Sequence, residues 1–600
     1  MERVLMLGNE AVARGAWESG VKVAAAYPGT PSTEIVTALA RYEDVYAEWS
    51  TNEKVAYEVA FGASMGGARA LTAMKSAGAS VAADPLITSV YSGVCAGLVV
   101  VVAGDPGMSS GMTEQDDRYF GRISGMPMLE PADSQECRDF VGLAFELSET
   151  YDIPVMLRLS IQTAHQKSVL QVGERADVAR REPGRHPEKY CMLPRFSRPM
   201  HRYLLERTAA LREYAEQSDL ARAEAGTGPF ARIGVVSSGA AYASAREALP
   251  GASFLKLGMV HPLPLEAIRR FAATVDRLFV VEELEPYLEE QILAAGVAVE
   301  GKQWFPAWGE LTPDRVGRGF FAAGLHLPRW EQEKAAVDDS VIPRPPVLCT
   351  GCPHRGMATA MKKLDLDVHG DIGCYDLTSL PPVSHMHSAF EMGASIPMEQ
   401  GFTRAGGAPK GSIAVIGDST FLHSGITGLL NAVHQNADVA VLIQNNDITA
   451  MTGGQTHPGV SRTLQGAPST PVDLPGLVRA LGVRSVEVVD PYDYEACLSA
   501  LKTALAFEGP AVVITDRPCM LFPRKIGGED LYQVDEDICN ACRLCMRLGC
   551  PSIHHTEAVF KERHKVAIDA ETCTGCSLCA QLCKPGAISK VGEPVTGGAP

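Results

Sequence analysis

At 600 residues, with 46% hydrophobic and 21% charged side chains, the chain holds enough apolar material for roughly four globular domains, which excludes a disordered protein. A net charge of -17 excludes nucleic acid and an anionic membrane as main partners. The longest apolar run, Val94 to Ala103, is too short for a bilayer, and MERVLMLGNEAVARGAWESG carries no basic segment, apolar core and cleavage site in sequence. A cytoplasmic enzyme is therefore expected, and in that reducing compartment the crowding of eight of the 16 cysteines between Cys539 and Cys583 points to metal rather than disulfides.

Residues 1–165 alternate strand and helix patterns: VLMLGN, a helix from Glu10, VKVAAAYPG, helices from Ser32 and through Glu53 to Ala70, then VAADPLI and GLVVVVAGD read as strands. Such alternation predicts a mainly parallel sheet covered on both faces. The polar landmarks follow strands: Tyr27 to Glu34, Thr51-Asn52-Glu53-Lys54, Lys75-Ser76 and Gly104-Asp105. Residues 166–228 read as a linker with a long surface helix whose charges are solvated. Residues 229–340 repeat an α/β pattern on a smaller scale, with Glu282, Glu283 and Glu285 expected at the surface or in subunit contacts.

Residues 345–525 open with Cys349-Thr350-Gly351-Cys352-Pro353-His354-Arg355-Gly356, followed by Asp371-Ile372-Gly373-Cys374. A Cys-x-x-Cys here is a zinc or cluster half-site, a redox pair, or simply buried thiols. Further on, SIAVIGD reads as a buried strand, SGITGLLNAVHQ as an amphipathic helix and DVAVLIQNND as a second strand. This βαβ unit places Asp418 and Asn445-Asn446 at strand ends, where ligands of open α/β sheets sit. Magnesium bridging a diphosphate would suit them, with the Asp418 carboxylate, the Asn446 amide oxygen and the Ile448 carbonyl as protein ligands. The alternative is an ordinary βαβ turn with Asp418 capping the helix. The small, flexible run Thr449 to Gly454 suits a loop over a cofactor.

In the tail, 530–600, Cys573-x2-Cys576-x2-Cys579-x3-Cys583 is close to the bacterial ferredoxin run, and Cys539-x2-Cys542-x2-Cys545-x4-Cys550-Pro551 precedes it by 34 residues. Each fourth cysteine is expected to cross over. Cys539, Cys542, Cys545 and Cys583 would hold one 4Fe-4S cluster, and Cys550, Cys573, Cys576 and Cys579 the other; a zinc array is the competing reading.

The run Gly417-Asp418-Ser419, then Asn445-Asn446 after 25 intervening residues, resembles the signature of thiamine diphosphate enzymes. That resemblance implies that Gly417, Ser419 and Thr449 line the cofactor. It also requires a carboxylate beside the aminopyrimidine ring, for which Glu53 is the candidate; otherwise Glu53 is a surface residue favoured by the helix dipole. Together with the cluster tail, the stretches YPGTPSTE, TNEKVA, CTGCPHRG, GDSTFLHSGITGLLNA and TAMTGGQ resemble the large (alpha) subunits of the indolepyruvate ferredoxin oxidoreductases, within the 2-oxo acid ferredoxin oxidoreductases, over essentially the whole chain.

The resemblance implies an α/β chain. It would have two doubly wound thiamine-diphosphate-binding domains (1–165 for the pyrimidine, 345–525 for the diphosphate and Mg2+), a smaller α/β domain between them, and a C-terminal α+β two-cluster ferredoxin domain. It implies oxidative decarboxylation of an aryl 2-oxo acid with coenzyme A, electrons leaving to ferredoxin, and a smaller beta subunit in a hetero-oligomer. Thr30 would face the substrate or the thiazolium. A third 4Fe-4S cluster on Cys349, Cys352, Cys374 and Cys519 is implied as well, unless these thiols only pack or line the site. Non-oxidative decarboxylation or carboligation with a structural tail, or an electron-transfer subunit with a vestigial thiamine fold, are the other readings.

Overall fold

The computed structural model describes residues 2–330, 342, 344–407, 411–522 and 530–593. The ends assigned near 340, 525 and 600 lie outside them. The chain divides into two compact units, Met1–Asp338 and Asp339–Pro600. No helix among the described residues is long and apolar enough to cross a membrane.

The first unit is built on a seven-stranded sheet, in the order Met259–His261, Met128–Leu129, Val155–Ser160, Leu98–Gly104, Ala70–Lys75, Val23–Ala26 and Tyr46–Trp49. Leu98–Gly104, a continuous apolar run buried at every residue, is central, as a parallel strand covered on both faces must be. Three expectations are corrected. Val81 to Ile87, read as a strand, lies in helices Ser76–Val81 and Ala83–Ser92, and Ala70–Lys75 is the strand instead. The segment lacks β-branched alternation, and Ala82, Leu86 and Val90 recur every four residues on a buried stripe. Glu2–Leu7 stays out of the main sheet and pairs antiparallel with Lys167–Val172, so part of the expected linker is structural. The 24-residue helix Pro194–Gln217 is present, with Met200, Leu204, Leu211 and Ala215 turned inward.

The smaller pattern forms a four-stranded sheet, Arg277–Val281, Ile233–Ser238, Ser253–Leu257 and Ala221–Glu224, with only the last antiparallel. The next strand, Met259–His261, pairs with Met128–Leu129 and so joins the seven-stranded sheet. The third correction is here: Glu282 and Glu283 are not at the surface. Both are buried among cations that the local sequence does not supply. Arg118 Nη1 lies 2.6 Å from Glu282 Oε2 and its Nη2 2.6 Å from Asp116 Oδ2, and Nη2 also donates to the Glu285 carbonyl at 3.1 Å. Arg158 pairs with Asp117 at 2.9 Å and with Glu130. A buried charge persists only when paired, so these acids and bases are interior together.

The second unit has a six-stranded sheet with every pairing parallel, in the order Ser388–Ala389, Asp367–Gly370, Ser412–Gly417, Ala440–Asn445, Ala511–Asp516 and Ser485–Val489. From Asp367–Gly370 the chain steps outward on one side, then continues from Ser412–Gly417 on the other. The crevice beyond Gly370 and Gly417 is therefore the topological switch point, where such sheets bind ligands. The tail forms two antiparallel pairs, Tyr532–Val534 with Ile588–Lys590 and Ile553–Phe560 with Arg563–Ile568. Its Cys545, Cys573 and Leu578 share one core with Met357, Met361 and Leu501.

Candidate active site and cysteine cavities

At the switch point Asp418 opens a helix that begins Asp418–Thr420, passes through a π-turn, Phe421–Gly425, and continues as Ile426–His434. Single π-turns recur at functional sites. The strand register opposes Gly417 to Gln444, which brings Asn446 beside Asp418. The left-handed φ of 61° at Asp447 turns the chain, so that Asn446 N–H (3.1 Å) and Asp447 N–H (2.9 Å) both donate to Asp418 Oδ2. Ser419 N–H donates to Oδ1 at 2.8 Å. Asp418 thus lacks the hydrogen bond of a helix cap and sits buried in a cradle of amides. Ser419 Oγ lies 2.8 Å from Thr449 Oγ1, and Asn446 Oδ1 accepts from Ile448 N–H at 3.3 Å, so Gly417, Asp418, Ser419, Asn446, Ile448 and Thr449 gather at one place. Gly417 lies close under a neighbouring ring: a Cβ there would stand 3.2 Å from Tyr375 Cε1. Three amide-held oxygens at strand ends, two of them the Asp418 carboxylate, suit a hard cation and the diphosphate it bridges.

Two histidines escaped the sequence reading. His457 is buried with Nε2 3.1 Å from Asp418 Oδ2, and its Nδ1 accepts the Gly459 N–H at 3.0 Å. Nδ1 thus acts as an acceptor while Nε2 faces the carboxylate. His354 Nε2 lies 3.4 Å from Asn446 Nδ2, and burial pulls its pKa down to about 4, so a neutral ring faces the amide nitrogen and the amide oxygen is left for another ligand. The only sequence signals were their places in CTGCPHRG and just beyond TAMTGGQ.

The quartet Cys349, Cys352, Cys374 and Cys519 borders this site. Cys519 N–H donates to the Asn446 carbonyl at 3.0 Å. Burial pushes the Cys352 and Cys374 thiols up to about 12, and the charges of their neighbours add to it: Cys374 and Cys349 act on Cys352, Cys519 and Cys349 on Cys374. Cys349 and Cys374 thus each lie within electrostatic reach of the other three thiols.

In the tail, Cys550, Cys573, Cys576 and Cys579 line one cavity of about 400 Å3, and Cys539, Cys542, Cys545 and Cys583 line another of about 310 Å3, both counting space open to solvent. These are the two sets that the crossed pattern predicts. Among the described residues no three His, Cys, Asp or Glu side chains converge on one point as a single ion would need.

In the first unit Glu53 opens helix Glu53–Met65, whose N-cap Asn52 accepts from Val55 N–H at 2.9 Å. Glu53 is 3% exposed, which argues against a surface role. Its carboxylate rests on Gly78: a Cβ there would stand 2.6 Å from Glu53 Oε1. Thr30 lies in a loop tied down by Asn9 Nδ2 donating to the Pro31 carbonyl at 2.6 Å and Ser110 Oγ to the Thr30 carbonyl at 3.3 Å.

A family model described as pyruvate flavodoxin/ferredoxin oxidoreductase, thiamine diP-binding, matches residues 14–223, and one described as thiamine pyrophosphate enzyme, C-terminal TPP binding domain, matches residues 371–515. The 2-oxoglutarate:ferredoxin oxidoreductase structure from Magnetococcus marinus is 18% identical, covering 53% of this chain and 65% of that one, with a TM-score of 0.45, too low to equate the folds. The chain is 38% identical to the indolepyruvate oxidoreductase subunit IorA of Pyrococcus abyssi, over 99% of this chain and 97% of that protein. It is 39% identical to the subunit of the same name from Methanothermobacter thermautotrophicus, over 99% and 98%. At that identity over nearly the full length of both partners, the chain belongs to the indolepyruvate oxidoreductase subunit IorA family and is a subunit of an oxidoreductase of that class.

Proposed function

We propose that the chain carries out thiamine-dependent oxidative decarboxylation of an aryl 2-oxo acid such as indole-3-pyruvate. The products would be the arylacetyl-CoA, carbon dioxide, a proton and two electrons, which pass through 4Fe-4S clusters to ferredoxin. One observation supports the reading: Cys519 N–H donates to the carbonyl of Asn446, beside Asp418, within a unit that also holds two four-cysteine cavities. Such adjacency suits removal of electrons one at a time rather than protonation to an aldehyde.

Thiamine diphosphate, when bound, supplies the nucleophilic carbon that adds to the 2-oxo group and retains the electron pair once carbon dioxide leaves. Asp418, Asn446 and the Ile448 carbonyl would hold its Mg2+, with Gly417, Ser419 and Thr449 against the diphosphate. His457 and His354 would orient the Asp418 carboxylate and the Asn446 amide, as partners behind metal ligands do. Glu53 would hold and exchange the proton at the aminopyrimidine, a task for a buried carboxylate at a fixed position. Thr30 would face the substrate. A smaller beta subunit, coenzyme A and ferredoxin complete the system.

The test is anaerobic reduction of ferredoxin or a viologen dye by the chain co-produced with its partner subunit, with thiamine diphosphate, Mg2+ and indole-3-pyruvate, with and without coenzyme A. Reduction that requires both the 2-oxo acid and coenzyme A is expected. Aldehyde and carbon dioxide with the dye left oxidised would favour the non-oxidative decarboxylase. Iron analysis separates two clusters from three: about eight irons per chain removes the cluster at Cys349, Cys352, Cys374 and Cys519, and about twelve supports it.

A further inference from the structure

The two tail cavities differ by one buried cation. The cavity of Cys550, Cys573, Cys576 and Cys579 is also lined by Thr350, Gly351 and Arg355, so it abuts the loop that carries Cys349 and Cys352. The lining of the other comes from the tail alone, and its arginine, Arg543, is exposed. Arg355 is 2% exposed. Its Nε and Nη2 donate to the Cys349 carbonyl at 3.2 and 3.0 Å, Nη2 also to the Leu348 carbonyl, and Nη1 to the Leu548 carbonyl at 2.5 Å. Among the described residues every hydrogen bond of this guanidinium goes to a neutral carbonyl. Gly549, directly before Cys550, has a left-handed φ of 65°; a Cβ there would stand 2.9 Å from Pro382 Cδ, with Arg355 Nη1 at an ordinary contact distance of 3.4 Å.

A buried cation without a counter-anion is unfavourable unless something negative occupies the space beside it. Four thiolates around a 4Fe-4S core carry net negative charge, and each added electron increases it. A fixed cation at the cavity wall therefore favours the reduced form, net charge being among the determinants of cluster potential. Arginine suits the place because its guanidinium stays charged when buried.

We propose that Arg355 raises the reduction potential of the cluster at Cys550, Cys573, Cys576 and Cys579, making it the first of the two tail clusters to take an electron arriving from the Cys349 side. This rests on the reading that the cavity holds a cluster, which iron analysis of the wild-type complex tests separately. The experiment is an anaerobic redox titration of the full chain with its partner subunit, followed by electron paramagnetic resonance, on wild type, Arg355→Gln and Arg355→Lys. In Arg355→Gln one tail cluster becomes harder to reduce by at least tenfold in its equilibrium constant, about 59 mV for one electron, while the other stays put. In Arg355→Lys, which keeps the charge but not the fork of hydrogen bonds, the same cluster shifts less than about threefold. An iron-replete Arg355→Gln with both potentials unmoved overturns the proposal. So does an iron-replete Arg355→Lys that falls tenfold, which decides the matter even if the glutamine variant loses its iron.

Discussion

The two units hold buried carboxylates in opposite ways. In the first, Asp116, Asp117, Glu130 and Glu282 meet the guanidinium groups of Arg118 and Arg158, all of them essentially removed from solvent. In the second, Asp418 is buried as deeply, yet its partners are three backbone N–H groups and a histidine. A carboxylate locked to guanidinium has its charge cancelled and serves the fold. One held by neutral amides has no guanidinium against it and leaves its oxygens open to a cation.

Breaking the first arrangement should have the largest effect. Arg158→Met leaves Asp117 and Glu130 buried without their cation, and a loss of about 3–5 kcal/mol is expected in denaturant unfolding. A loss under about 1 kcal/mol would mean that these acids are protonated or reach water.

The same network gives a pH signature. Burial raises the Glu283 carboxyl to about 7, with the charge of Glu130 adding to it and Arg158 opposing it. Folding therefore binds a proton there between the unfolded value near ~4.5 and about 7; the stabilisation is complete below that window and is lost as pH rises through it. Glu283→Gln, which mimics the protonated form, should match wild type near pH 4.5. By pH 8 it should gain up to about 3 kcal/mol over it. A pH-independent difference between the two would refute the titration.

On the other side of the comparison, Asp418→Asn turns an NH2 against buried N–H groups and should cost about 1–3 kcal/mol in unfolding, while weakening Mg2+-dependent thiamine diphosphate binding on the order of 100-fold, read by calorimetry or fluorescence quenching. If the fold weakens and cofactor affinity holds, the amide cradle is structural and the contrast between the units disappears. The smallest change is Gly78→Ala. The new Cβ forces the Glu53 carboxylate aside, and kcat should fall roughly tenfold with the KM for the 2-oxo acid little altered. An unchanged kcat would show that the position of Glu53 is not critical.

Local features of the chain were readable in advance. Four cysteines with two to four residues between neighbours, repeated once, restrict what can be enclosed between them, and the eight tail cysteines line two cavities in the sets that the spacing implied. Gly417-Asp418 and Asn445-Asn446 were legible because adjacent parallel strands of a βαβ unit bring their ends together whatever surrounds them. The strand expected at Val81 to Ile87 is instead the end of helix Ser76–Val81 and the start of helix Ala83–Ser92, because a run this short shows the four-residue recurrence of Ala82, Leu86 and Val90 only when it is extended past its end.

What the sequence by itself determined, then, is set by short chain separations: strand ends, helix starts, cysteine spacing. The tertiary structure alone decided the pairs separated by many residues. Arg118 meets Glu282 across 164 positions, His354 meets Asn446 across 92, and Arg355 reaches Leu548 across 193. The physical reason is that a buried charge or imidazole takes its partner from whatever the fold places beside it, and no periodicity or spacing along the chain records which residue that is.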